Sequence, residues 1–408
     1  MYILPYRIHE EFLATPSLIR IVESETDDVA NLLIKASTLE LKYISVTPSI
    51  DLRFFRVGAR GEFLAYAIFL GSGKDLRIIW SVVEWATETK AIQSLVQHGV
   101  ACKVFLYNEI AVNVAEAEFD YAAGPSRTLL NLTLYKRPDP RGGIPHNVVL
   151  NAFTAARAAE SVELQHTVSL KARSGGWVEL SLLYITDAGK YPPLSLFSSD
   201  EGAQQEQLGT WLIGHLQPTA SVRSPQFLNG SRSKELTDLF LSYEYGYFLV
   251  ESKTLSVLSR AELPNREKLK RDIEKDVRKA VRQLGGALRS IRRGLPIVDA
   301  DGATIPLAAP VDAPHAIVLV PDLELLDGLT EFGGQALRNL ARQHEAYFHF
   351  LDPKELLRVV QAGELTVEMN DELNSEIEAV DLYLARRFEL ALTRPDPNFQ
   401  VLARAKGR

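Results

Sequence analysis

Two acidic residues and a lysine in the middle of the chain have the types and the spacing of a hydrolytic site. Asp238 and Glu251 flank an apolar segment, and Lys253 follows Glu251 at the second position. Two carboxylates held close together repel each other unless a cation neutralises them, and Mg²⁺ typically takes one or two protein carboxylates together with water and phosphate oxygens. A neighbouring lysine could orient the attacking water and offset charge on the phosphorane. These residue types predict metal-dependent hydrolysis of a phosphodiester.

A predicted β-hairpin would bring these side chains together. Apolar runs of strand length occupy Leu236–Leu241 and Tyr247–Val250, and the short turn between them ends in Gly246. If the turn centres on the two residues before Gly246, Asp238 lies opposite Glu251 with about 5 Å between the Cβ atoms. The lysine two positions later shares the face of the glutamate, because side chains alternate along a strand. A bulge at Gly246 would shift this pairing by one residue.

A long basic amphipathic helix is predicted after the hairpin. Between Asn265 and Arg293 apolar residues recur at steps of three and four, which indicates one buried stripe. A basic stripe on the opposite side suits a polyanion, although a solvated face of i,i+4 ion pairs would give the same pattern. The residues that we expect to contact nucleic acid are Arg271, Lys275, Arg278, Lys279 and Arg282.

The order of these elements resembles the PD-(D/E)XK, or restriction-endonuclease-like, nuclease superfamily. Its members carry an Asp on one strand, (D/E)-x-K on the next, and a glutamate on an upstream helix. Asp238 matches the first acid and Glu251-Ser252-Lys253 matches the (D/E)-x-K segment, whereas Thr237 stands where the family name has Pro. The resemblance covers roughly residues 200–385. It implies a metal-dependent nuclease and says little about which nucleic acid is cut, although the family as a whole favours DNA over RNA.

The resemblance also implies further site residues. On the amphipathic segment Ala203–Leu216, Glu206 is the best match to the helix glutamate, and Glu235 is its rival. On the downstream helix, Gln283 would serve catalysis and Lys279 would support the site or a phosphate. The implied ligands of Mg²⁺ or Mn²⁺ are Asp238, Glu251, the backbone carbonyl of Ser252, and Glu206.

Two other interpretations of the same residues remain open at this point. The hairpin acids could belong to an exposed sheet face with a cross-strand salt bridge, since the E-x-K pattern occurs by chance in many strands. The chain could also be a non-catalytic interaction protein that keeps a nuclease-like fold as a scaffold. Retention of two acids and a lysine favours the enzyme, because a pure scaffold would not need them.

The chain of 408 residues is long enough for two to three domains. After the basic helix, predicted strands at His315–Leu326 and before Asp352 alternate with helices, an order typical of α/β architecture. We expect a restriction-endonuclease-like mixed sheet flanked by helices at residues 196–408 and a separate α+β domain at residues 1–195. A Pro- and Gly-rich stretch at 137–145 could divide the first domain, which could bind a partner protein. The segment Glu368–Leu392 predicts one continuous acidic-then-basic helix.

The composition of the chain limits where the protein is expected to reside in the cell and which partners it is expected to bind. The single cysteine, Cys102, cannot form an internal disulfide and suits a reducing cytoplasm. The sequence has no signal-peptide pattern and no apolar span near 20 residues, so we expect a cytoplasmic protein with no membrane partner. Cutting both strands of a duplex needs two sites, which makes a homodimer attractive. The net charge of −7 means that nucleic acid would bind a local basic patch.

Overall fold

The computed structural model describes residues 2–24, 30–57, 63–71, 77–98, 102–121, 164–180, 182–183, 193–230, 232–260, 262–307, 313–369, 373, 375–399 and 401. The chain splits into two compact units, one of Met1–Leu182 with Ser195–Phe197, and one of Leu183–Leu194 with Ser198–Arg408. Each unit combines β-sheet with helices, so the chain is a mixed α/β protein. The predicted break at 137–145 lies outside the described residues, and the predicted domain roles stay predictions. None of the helices that are described is long and apolar enough to cross a membrane.

The first unit is built on a strongly curled, mainly antiparallel sheet. Its strands are β1 (Leu18–Glu23), β2 (Ala30–Lys35), β3 (Ser49–Val57), β4 (Phe63–Leu70), β5 (Arg77–Val82), β6 (Cys102–Tyr107), β7 (Asn113–Tyr121), β8 (Leu164–Ala172) and β9 (Val178–Glu179). They follow the order β1-β2-β6-β7-β8-β3-β4-β5, with β9 beside β7. The hydroxyl of Ser81 on β5 donates to the carbonyl of Ile19 on β1, so the two ends of the sheet meet. Its helices are α1 (Tyr6–Ala14), α2 (Thr38–Ser45) and α3 (Ala86–His98).

The second unit holds the predicted hairpin and basic helix. After the short strands β10 (Leu182–Leu183) and β11 (Pro193–Leu194), the remaining strands are β12 (Ala220–Arg223), β13 (Gln226–Asn229), β14 (Arg232–Glu235), β15 (Leu239–Tyr243), β16 (Gly246–Ser252), β17 (Ile297–Val298), β18 (His315–Leu319) and β19 (Tyr347–Leu351). The helices of this unit are α4 (Glu201–Gly214), α5 (Arg266–Arg292), α6 (Gly334–His344), α7 (Pro353–Met369) and α8 (Glu376–Ala391). Two short 3-10 helices span Leu323–Leu326 and Thr330–Phe332.

A mixed five-stranded sheet forms the centre of this second unit. Its order is β12-β15-β16-β18-β19, and a smaller sheet has the order β14-β13-β17. The β15–β16 pair is antiparallel and joins Leu239 to Val250 and Tyr243 to Gly246, which confirms the predicted hairpin register without a bulge. Strands β16, β18 and β19 are parallel, so their carboxyl ends lie along one edge of the sheet. All residues of β15, β16 and β18 are buried.

The helix predictions for this unit are confirmed except at its last helix. Helix α5 begins after Asn265, whose side chain accepts a hydrogen bond from the Lys268 amide at 2.9 Å. The single helix predicted over Glu368–Leu392 is wrong, because α7 ends at Met369 and α8 begins at Glu376. Ser375 caps α8 by accepting a hydrogen bond from the Glu378 amide at 3.3 Å, a local start signal that the charge pattern concealed.

Two adjacent glycines in α5 offer a matched test of helix packing. A Cβ added at Gly285 would lie 2.6 Å from the His344 ring, whereas one at Gly286 would meet only the tip of Arg289 at 3.9 Å. We expect Gly286→Ala to raise the free energy of unfolding by about 1 kcal/mol through helix propensity. Gly285→Ala should lower it by about 1–2 kcal/mol, since overpacking costs more than the helix gains. Urea unfolding of both variants checks this, and equal shifts in the same direction would contradict it.

Candidate active site

Asp238 and Glu251 come together at one end of the β15–β16 hairpin. The pairing of Leu239 with Val250 places the preceding Asp238 opposite Glu251, as the predicted register requires. The Asp238 carboxylate accepts a hydrogen bond from the backbone amide of Ser252 at 2.6 Å. This bond fixes the aspartate against the last residue of β16, in the middle of the sheet.

The ammonium group of Lys253 lies close to both carboxylates. Its Nζ is 2.8 Å from Oε1 of Glu251 and 3.9 Å from Oδ2 of Asp238. The backbone amide of Lys253 donates to the carbonyl of Leu319 at 2.8 Å, so β18 holds its main chain while the side chain turns back towards the acids. Asp238, Glu251 and Lys253, hereafter the acid–lysine cluster, sit at the carboxyl end of β16.

Glu251 is the most buried member of the cluster, with 1% of its surface exposed. Its Oε2 lies 3.4 Å from the hydroxyl of Thr237, which donates to the Val250 carbonyl at 2.7 Å. Burial, followed by the negative charge of Asp238, raises the pKa of Glu251 to about 7. The carboxylate is therefore poorly solvated, and its ionised form would gain from a nearby cation.

Burial also raises the pKa of Asp238, against the opposing charge of Lys253 and the hydrogen bond from the Ser252 amide. Both candidates for the helix glutamate act on the same aspartate. Glu206, on α4, has a pKa raised first by burial and then by the charge of Asp238, and it accepts a hydrogen bond from Arg223 at 3.3 Å. Glu235, at the end of β14, raises the pKa of Asp238 as well. The structure thus brings Glu206 and Glu235 into the electrostatic range of one cluster.

The predicted cations of α5 differ in their surroundings. Lys279 is exposed and close enough to Asp238 for its charge to lower the pKa of that aspartate. Arg278 is engaged elsewhere, since its guanidinium donates to Glu331 at 2.8 Å and also pairs with Glu274. Like Lys279, the predicted cations Arg271, Lys275 and Arg282 are exposed and make no ion pair with another described residue.

For two other predicted residues, Gln283 and Ser252, the described contacts leave the predicted roles as predictions. Gln283 is exposed on α5 and makes no hydrogen bond to the acid–lysine cluster among the residues described. Ser252 contributes its amide N–H to Asp238 and its hydroxyl to Gln205, at 3.0 Å from the amide nitrogen of that glutamine. The amide N–H of Ser252 therefore orients Asp238, and its hydroxyl accepts a hydrogen bond from Gln205.

Gln205 and Thr237 touch the cluster and were missed by sequence reasoning. Gln205 precedes Glu206 on the same helix, and Thr237 precedes Asp238. Their proximity to the two predicted acids was the available signal. The hydrogen bonds of Gln205 could not be predicted, because the sequence does not place its helix against the ends of β16 and β18. The predicted hairpin brings Thr237 close to Glu251, but it does not specify the rotamer that turns the Thr237 hydroxyl to the Val250 carbonyl.

The donors of the cluster fit a small divalent cation that prefers oxygen ligands. Asp238 and Glu251 are two carboxylates whose burial disfavours ionisation, and a dication would reverse that penalty. Among the described residues no group of three or more His, Cys, Asp or Glu could hold a metal ion. The protein would accordingly supply two carboxylates and leave the other positions to water and substrate, a pattern common for Mg²⁺.

His315 belongs to a separate buried network at the opposite end of the parallel strands. Its Nδ1 lies 2.9 Å from Nε2 of His349, and its Nε2 lies 3.0 Å from Oδ1 of Asp381. The same Asp381 oxygen accepts a hydrogen bond from the Tyr243 hydroxyl. In the parallel pair, Phe248 faces His315, three residues before Glu251, a rise of about 10 Å. This network therefore contributes no ligand to the acid–lysine cluster.

The chemistry of the site rests on the geometry of Asp238, Glu251 and Lys253. Comparison of this chain with family models, curated proteins and solved structures gave no match.

Proposed function

We propose that this protein is a metal-dependent nuclease whose second unit is a PD-(D/E)XK-like domain. The observation that carries the proposal is the position of the Lys253 ammonium, 2.8 Å from one buried carboxylate and 3.9 Å from the other. The surrounding order agrees with the resemblance: an antiparallel hairpin is followed by a basic helix and two parallel strands. The confirmed hairpin register excludes the alternative in which a bulge separates the two acids.

Asp238 and Glu251 would hold Mg²⁺ or Mn²⁺, with Glu206 as a further acid beside Asp238. When bound, such a cation acidifies a coordinated water and polarises a phosphoryl oxygen. The hydrogen bond from the Ser252 amide keeps Asp238 in place, and the Thr237 hydroxyl lies against Glu251. These fixed contacts would keep both carboxylates in position during turnover, which preserves their geometry for the charged transition state.

Lys253 would orient the attacking water and offset the negative charge of the phosphorane. In hydrolysis the water oxygen forms a bond to phosphorus, the phosphorus–oxygen bond to one sugar breaks, and the sugar oxygen leaves with a proton. An ammonium beside the reacting phosphate stabilises the added negative charge in a site with little water. The side chain of Lys253 is 14% exposed, so it is shielded yet open on one side.

The nucleic acid would approach along α5. Lys279 lies within electrostatic range of Asp238, and the exposed cations Arg271, Lys275 and Arg282 extend from it along the helix. Their charges would attract phosphates without reading sequence. Arg278 would contribute less, because Glu274 and Glu331 already neutralise it. DNA is the proposed substrate class, as the resemblance implies.

The direct test is titration of Mn²⁺ into the purified protein and into an Asp238→Ala/Glu251→Ala variant, with plasmid and single-stranded DNA incubated in parallel. We expect the parent to bind the ion and to cut, and the variant to lose both, because the two carboxylates are the ligands. The control is Glu345→Ala/Glu389→Ala, which removes the same charge from exposed side chains that are 75% and 62% accessible. A parent that binds no metal and cuts no substrate would refute the proposal and favour the scaffold function.

A further inference from the structure

The side-chain amide of Gln205 connects α4 to the ends of two sheet strands. Its Nε2 lies 3.0 Å from the Ser252 hydroxyl, 3.2 Å from the carbonyl of Lys253 and 3.1 Å from the carbonyl of Leu319. Gln205 is buried, with 9% of its surface exposed. The side-chain NH₂ group has two hydrogens, so the three acceptor oxygens around it share these two donors.

All three acceptors lie where the parallel strands β16 and β18 end. Ser252 and Leu319 are the final paired residues of these strands, and the Lys253 amide donates to the same Leu319 carbonyl. Gln205 therefore adds one side-chain hydrogen bond at the Leu319 carbonyl, where the backbone hydrogen bonds between β16 and β18 end. The paired residues of β16 and β18 end there, and among the described residues the main chain of Lys253 makes one sheet hydrogen bond together with the contact from Gln205.

The main chain of Lys253 determines where its ammonium can reach. The lysine side chain has four rotatable carbons, so Nζ can stay 2.8 Å from Glu251 only if the main chain of Lys253 is held in place. Gln205 binds the carbonyl of Lys253 and the hydroxyl of Ser252, and it therefore restricts that main chain at two neighbouring residues. Burial strengthens these hydrogen bonds, because water cannot replace them.

We propose that Gln205 is a positioning residue for Lys253, which keeps the ammonium beside the two carboxylates through hydrogen bonds to Ser252, Lys253 and Leu319. This inference rests on the proposed function insofar as Lys253 serves the reaction. Gln205 would contact neither substrate nor metal. Its effect would pass entirely through the main chain at the end of β16.

The test variant is Gln205→Met, which keeps the length and bulk of the side chain and removes the amide. We expect kcat for cleavage to fall about 10- to 100-fold with KM within twofold, since displacing a catalytic group by about 1 Å can cost a factor of 10². The matched control is Gln207→Met on the same helix, because the Oε1 of Gln207 has no hydrogen-bond partner among the described residues. The control should cleave like the parent.

A second measurement does not depend on activity. Reductive methylation followed by mass spectrometry gives the labelling rate of each lysine, and exposed Lys279 is the internal reference. We expect Lys253 to label several times faster in Gln205→Met and Lys279 to label at an unchanged rate. A folded variant with unchanged labelling of Lys253 would overturn the positioning role, and so would a kcat within twofold of the parent. If the parent cuts no substrate, the nuclease proposal fails, and labelling alone then decides the role of Gln205.

Discussion

Lys253→Met is expected to lower cleavage by about 10³-fold while tightening Mn²⁺ binding by about 10-fold. The first effect is of the size seen when one preorganised group that stabilises transition-state charge is removed. The second follows from the position of Nζ, which lies 2.8 Å from Glu251 and 3.9 Å from Asp238 and so is a counterion for both acids. A divalent ion must compete with that ammonium, and methionine removes the competitor while keeping an unbranched side chain.

The two effects can be measured on the same sample, by single-turnover cleavage and by calorimetric titration of Mn²⁺. Lys279→Met is the control, because this lysine is exposed and makes no ion pair to either acid among the described residues. It should change nucleic-acid binding more than metal binding. A Lys253→Met protein that cuts as well as the parent would refute the catalytic role of the lysine. Weaker metal binding by that variant would refute the competition.

Glu251→Gln is expected to stabilise the second unit by about 2–3 kcal/mol above pH 7 and by little below pH 5. The folded protein holds the proton of Glu251 more tightly than the unfolded chain does, because burial raises its pKa from 4.5 to about 7. Stability from this group is therefore greatest at low pH and is lost as the pH rises through 7. Full ionisation would cost about 3 kcal/mol, a net value because the favourable charge of Lys253 already acts on the pKa of Glu251.

Hydrogen exchange of the β16 amides at pH 5 and pH 8 in metal-free buffer would report on this unit alone. The matched control is Glu389→Gln on α8, which makes the same substitution at a carboxylate that is 62% exposed. An equal effect of Glu251→Gln at both pH values would contradict the predicted burial cost. The stable variant should also bind no Mn²⁺, since an amide is a poor substitute for a charged ligand.

The hairpin and the helix α5 could be predicted because both depend on local sequence. A short turn ending in Gly246 sets the pairing of Leu239 with Val250, and that pairing places Asp238 opposite Glu251. The apolar stripe of α5 likewise repeats within its own length. Glu251 lies on the hairpin strand β16, and Asp238 and Lys253 directly flank the hairpin.

The supporting contacts could not be predicted because they join distant segments. Gln205 reaches Leu319, which is 114 residues away, and no local pattern specifies that pair. Helix α4 buries Gln205, whereas Glu206 lies about 100° further around the helix axis. A small error in the predicted orientation of the helix would therefore interchange the buried and the less buried residue. The break between α7 and α8 was also missed, since the charges on both sides suit a single helix.

The parallel pairing of β16 with β18 has a consequence for how the site matures during synthesis. The hairpin closes a short loop, so Asp238 and Glu251 can meet early, within microseconds of leaving the ribosome. Strand β18 begins only at His315, and closing so long a loop is slower and entropically more costly. A nascent chain that stops before Leu319 would hold the acids but lack the carbonyl that anchors both Lys253 and Gln205. The protein should therefore become able to cleave only after β18 has paired with β16 and the central sheet has assembled.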